Sequence, residues 1–236
     1  MFKSKDIILL LLIVGLTIAL VLVSSWTNGI VIFDNLSKTI NKQIIYQTIT
    51  LFGTTIFLFI LWWAKRAEFQ EYFRKGNISA EILPEPIVGI KPKPTENWFH
   101  LGRNFAIIIS GVTAIVIYFQ LIRESGISIG SILNVLPFSI VFALSNSFVE
   151  ENITRLGVVV VLKDVLKDRI IPLVSALIFG TVHYWGNPGG LLGVIVAGFL
   201  GWLLTKSILE TKGIFWAWLI HFLQDVIIFS ALLTIL

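Results

Sequence analysis

The feature that most constrains this chain is a succession of long apolar runs, at residues 7–26, 44–64, 105–122, 132–162, 170–185, 191–209 and 214–236. A helix crossing the hydrocarbon core of a bilayer needs about 20 such residues. Most of the 236 residues are therefore committed to crossing a membrane. Only 14% are charged, against roughly a quarter in soluble domains, which excludes a soluble globular protein. The expected fold is an all-α, polytopic transmembrane helix bundle of about seven spans. The first run follows Lys3 and Lys5. It is longer than the ~7–15 apolar residues of a signal peptide and no small-residue cleavage site follows, so it is read as a retained helix.

Residues 1–64 hold two N-terminal spans, the second ending in Trp62 and Trp63 beside Lys65 and Arg66, an interfacial anchor. Residues 65–104 form a cytosolic or interfacial linker, with a short surface helix expected over 65–77. Pro84, Pro86, Pro92 and Pro94 then suggest extended chain. Its basic residues alternate with Glu68, Glu71, Glu81, Glu85 and Glu96, so no nucleic-acid partner is expected. With the N-terminus in the cytosol, inside segments carry fourteen Lys and Arg and outside segments three, a strong positive-inside bias. The loop around Asn187 and the C-terminus then lie outside. Membrane lipids are the one surrounding this composition demands, and oligomeric state is left open.

Two packing features stand out. The run 132–162 is too long for one straight span, and a bend is expected near Pro137 or Gly157. Gly189, Gly193, Ala197 and Gly201 form a small-residue stripe that allows close helix approach, read as internal packing with a dimer interface as the alternative.

The chemistry lies where ionisable residues interrupt apolar segments: Glu150, Glu151, Arg155, His183, His221 and Asp225. Each such group costs on the order of 3 kcal/mol at the bilayer centre, so it faces the bundle interior, finds partners and marks function. Glu151 and Arg155, four apart, share a helix face and can pair. Glu150 points about 100° away from Glu151, and is expected to face a cavity unpaired, as a general base does. His221 and Asp225 are one turn apart on one face. No cysteine is present, which excludes disulfides and Cys-ligated metal.

These residues resemble a known family. Glu150-Glu151-Asn-Ile-Thr-Arg155 matches the EExxxR motif of the CPBP intramembrane proteases, which take in Rce1-type CAAX-processing enzymes and Abi proteins. Phe179-Gly-Thr-Val-His183 is similar to its FxxxH motif, and His221-Phe-Leu-Gln-Asp225 to its HxxxN/D motif, with Asp where Asn is common. The resemblance covers roughly residues 105–236, which it makes the catalytic core. It implies that Glu150 activates water with help from His183, without a metal or other cofactor. It implies that His221 and Asp225 stabilise the oxyanion, and that Glu151 and Arg155 shape the site. An ionised Asp225 cannot donate to an oxyanion, so it acts protonated or orients His221. The implied substrates are membrane-embedded peptides or lipidated, CAAX-like prenylated proteins.

Other readings stay open. Glu150, His183 and His221 are also a set that can hold catalytic zinc with Glu151 as base, although no HExxH occurs. A non-enzymatic immunity or scaffold protein would be expected to lose motif residues. A transporter would be expected to show repeat symmetry between halves, and none is visible.

Overall fold

Nine α-helical stretches follow one another among the described residues: α1 Ser4–Trp26, α2 Lys38–Ala64, α3 Arg66–Tyr72, α4 Trp98–Ile117, α5 Ile129–Glu151, α6 Gly157–Leu162, α7 Ile171–Val182, α8 Gly190–Thr211 and α9 Phe215–Ile235. The computed structural model describes residues 3–123, 125, 128–186 and 189–235. Asn187 and Leu236, both expected outside the membrane, lie beyond the described residues. Ends are set by ordinary capping chemistry. Ser37 accepts the Ile40 amide at 3.2 Å, Asn97 that of Phe99 at 3.1 Å and Ser128 that of Ser131 at 3.1 Å.

Six stretches are long and apolar enough to cross a bilayer. The expected seventh, 170–185, is shorter: α7 and a 3₁₀ turn, His183–Trp185, make a fifteen-residue apolar helix. The chain is a multi-pass membrane protein. Its basic segments gather at one end. Lys65 pairs with Asp6 at 2.8 Å, Lys212 with Glu71 at 2.8 Å, and the Asn77 amide donates to the Thr211 carbonyl at 2.7 Å.

The long run 132–162 departs from α-helical bonding beside one of the two expected places, directly before Gly157, and not at Pro137. α5 passes through Pro137, and the pattern changes in a π-helical turn, Asn152–Leu156, directly after the paired glutamates. Local side chains make that turn tolerable by taking up carbonyls, as non-α backbone inside a membrane protein requires. Asn152 donates to Phe148 O, Thr154 to Glu150 O and, from α7, Ser175 to Thr154 O, all at 2.7 Å. Gly157 itself serves packing: a methyl there would come 2.9 Å from the Phe57 ring of α2.

The proline-rich stretch is not extended chain. Glu85 and Ile90 exchange backbone hydrogen bonds of 2.9 and 3.1 Å around a 3₁₀ turn, Pro86–Val88, closed by Gly89 at φ +81°. Burial explains the compaction. Ala80, Ile82 and Ile90 pack with Trp98, Leu203 and Trp216, and Trp98 Nε1 donates to Glu210 at 2.7 Å. The small-residue stripe is internal, in a shifted register. A methyl on Gly180 of α7 would meet Val194 O of α8 at 2.8 Å and Gly198 Cα at 3.1 Å. Gly198 and Gly201 both lie against α7, Gly201 coming 3.3 Å from Ala176 Cα by the same measure.

Candidate active site

Glu151 and Arg155 are fully enclosed, at 0% exposure. Arg155 Nη1 lies 3.3 Å from Glu151 Oε1 and donates to Thr154 Oγ1 at 2.7 Å. The guanidinium also sits 3.4 Å above the centre of the Phe179 ring, a cation–π contact strengthened by burial. Phe179 has His183 against it as well, ring centres 4.1 Å apart, and His221 edge-on at 6.1 Å. One ring therefore holds three of the polar residues in place. That explains why the phenylalanine stands one turn before His183.

His221, projecting from α9, meets Glu151 through Nδ1 at 2.7 Å. A carboxylate accepts, so Nδ1 carries the hydrogen. Nε2 then lies 3.6 Å from both Glu150 Oε2 and Asp225 Oδ1, between them and outside hydrogen-bond distance of either. Glu150 is not unpaired as expected. Asn146, one turn earlier on α5, donates to Glu150 Oε1 at 3.2 Å and to Asp225 Oδ2 at 3.0 Å. Sequence reasoning missed Asn146. Its signal was an amide in an apolar helix four residues before Glu150, on the same face.

Glu150 differs from Glu151 in facing open space. It lines a cavity of about 440 Å³ together with Phe179, Val182, His183 and Gly186. His183 Nδ1 is 2.8 Å from the Phe179 carbonyl, which can only accept, so Nδ1 carries the hydrogen and Nε2 presents a lone pair. The cavity thus has a carboxylate and an imidazole nitrogen on its wall. The other wall comes from outside the motif region, from Thr17, Leu20, Val21 and Ser24 of α1 and Tyr46 of α2.

All six residues expected from the sequence therefore fall in one cluster, in two layers. Glu150 and His183 border the cavity, while Glu151, Arg155, His221 and Asp225 are buried behind, each at most 5% exposed. As a zinc site the donors are poorly disposed: among the described residues no three His, Asp or Glu side chains converge as metal ligands. Glu151 Oε1 is already shared by Arg155 and His221.

Comparison with known proteins adds one finding. Residues 132–227, from early α5 into α9, match the family model described as type II CAAX prenyl endopeptidase Rce1-like. The match includes Asn146 and all six motif residues and leaves out α1 and α2. No curated protein and no solved structure matches the chain.

Proposed function

We propose, from the match of residues 132–227 to the Rce1-like model of type II CAAX prenyl endopeptidases, that this chain is an intramembrane glutamic endopeptidase. The observation that carries the mechanism is that Glu150 and His183 border one cavity while the adjacent Glu151 is sealed by Arg155. A water between the Glu150 carboxylate and His183 Nε2 loses a proton to Glu150 as its oxygen attacks the peptide carbonyl carbon. The tetrahedral intermediate collapses with that proton passing to the leaving amine. Apolar walls from Leu20, Val21 and Val182 suit a membrane-embedded or lipid-anchored peptide.

On this reading Glu150, aided by His183, takes the proton from the bound water, and the step asks for no Lewis acid. Purified protein in detergent should cleave a farnesylated, quenched-fluorescent peptide ending in Cys, two aliphatic residues and a variable residue. Prolonged dialysis against a strong chelator should leave that rate within about twofold, with well under one metal per chain. Stoichiometric zinc whose removal stops cleavage and whose return restores it would transfer the chemistry to a metal.

The gathering of basic segments at one end supports a cytosolic placement of α3 and the linker. The chain lacks native cysteine, so Ser79→Cys and Thr234→Cys can be labelled from either side of sealed vesicles. Ser79→Cys should react only from the cytosolic side and Thr234→Cys only from the opposite one. Reaction of both from one side defeats seven crossings.

A further inference from the structure

Of the side-chain donors lining the Glu150–His183 cavity, the Ser24 hydroxyl, the Trp185 indole and the Tyr46 hydroxyl form no hydrogen bond with a described residue. Of these three residues only Tyr46 is buried, and the other donors are committed. Asn146 gives its two amide hydrogens to Glu150 and Asp225. His221 Nδ1 is held by Glu151, His183 Nδ1 by the Phe179 carbonyl, and Arg155 is fully enclosed. Thr17 and Ser25, on the α1 wall, spend their hydroxyls on the Ile13 and Val21 carbonyls at 2.8 and 3.1 Å. Asp225 as a carboxylate only accepts. Attack on a peptide carbonyl nevertheless places negative charge on its oxygen, and that charge needs donors aimed at it.

Tyr46 of α2 supplies what is missing. Its side chain lines the same cavity as Glu150 and His183, and the residue is only 8% exposed. Its hydroxyl makes no hydrogen bond with any described residue, whereas a buried tyrosine hydroxyl ordinarily finds a partner. An enclosed phenol facing a cavity without a protein partner points to a ligand. A phenol also stays protonated at neutral pH, so it donates where a carboxylate cannot.

We propose that the Tyr46 hydroxyl donates a hydrogen bond to the carbonyl oxygen of the scissile peptide and strengthens it as the oxyanion forms. Tyr46 is then a catalytic residue contributed by a helix outside the family-matched segment. This inference rests on the peptidase reading above. No covalent change occurs at Tyr46: it keeps its proton throughout.

The test compares Tyr46→Phe with the unsubstituted protein on the farnesylated peptide, measuring kcat and KM separately. Loss of one transition-state donor should lower kcat by about 10²-fold and leave KM within about twofold. Folded yield and thermal midpoint should not change, since the lost hydroxyl has no protein partner. Trifluorotyrosine at position 46, whose phenol ionises at lower pH, should move the alkaline limb of the kcat profile downward, which a structural role would not do. Unchanged kcat, a raised KM alone, an unmoved pH profile or loss of the fold in Tyr46→Phe each overturns the assignment. Glu150→Gln separates this from failure of the underlying reading. An inactive Glu150→Gln beside a fully active Tyr46→Phe removes Tyr46 alone. A fully active Glu150→Gln, or an unsubstituted protein that leaves the peptide intact, removes the peptidase reading and the inference with it.

Discussion

Glu150→Gln should reduce cleavage by about 10²–10⁴-fold while the protein remains folded in the membrane. The substitution keeps the side chain's shape and an oxygen that can accept from Asn146, so the link between α5 and Asp225 persists. What it removes is proton acceptance, for which general base catalysis accounts at about 10²–10⁴-fold. The cavity-facing position makes the change inexpensive structurally, because among the described residues no Lys or Arg pairs with Glu150 and His221 Nε2 stands 3.6 Å away. Cleavage rate, folded yield by size exclusion and thermal midpoint together check the expectation. The opposite pattern, an active Glu150→Gln beside a folded but inactive Glu151→Gln, would exchange the roles of the two glutamates.

Arg155→Leu is expected to act on the fold first. Glu151 and Arg155 are both fully enclosed, and removing one member of a buried pair strands the other at a cost of roughly 3–5 kcal/mol. The loss spreads, because Arg155 also covers the Phe179 ring and bonds Thr154 in the π-helical turn. Folded yield should fall severely, and residual protein should melt well below the unsubstituted one. The double variant Glu151→Gln with Arg155→Leu should recover part of that stability, since no charge is left unpaired. An Arg155→Leu protein as stable as the parent would mean that the pair does not hold the turn together.

The site residues were legible because each breaks an apolar run, where a charged group is expensive and must be explained. The same logic, applied to amides, would have reached Asn146. It could not reach Tyr46, since an aromatic residue in an apolar helix costs nothing and carries no mark until the neighbouring helices are placed. The π-helical turn was also hidden: its stability rests on Ser175 of another helix, which no local periodicity reports. The linker was misread for a related reason. Prolines speak about local backbone, whereas the compaction of residues 78–98 comes from distant partners, Leu203 and Trp216.

The cavity is bounded on one side by α5, α7 and the turn after it, and on the other by α1 and α2. Under the proposed peptidase reading, the groups that would break the bond and the walls that would hold the substrate sit on separable pieces of chain. On that reading, changes at Leu20, Val21 or Ser24 would alter which peptides or lipid tails are admitted while leaving the Glu150–His183 pair untouched. In such an architecture substrate range can drift between relatives without any mutation in the reactive centre. A match confined to residues 132–227 then describes the tool and leaves the workpiece to be read from the first two helices.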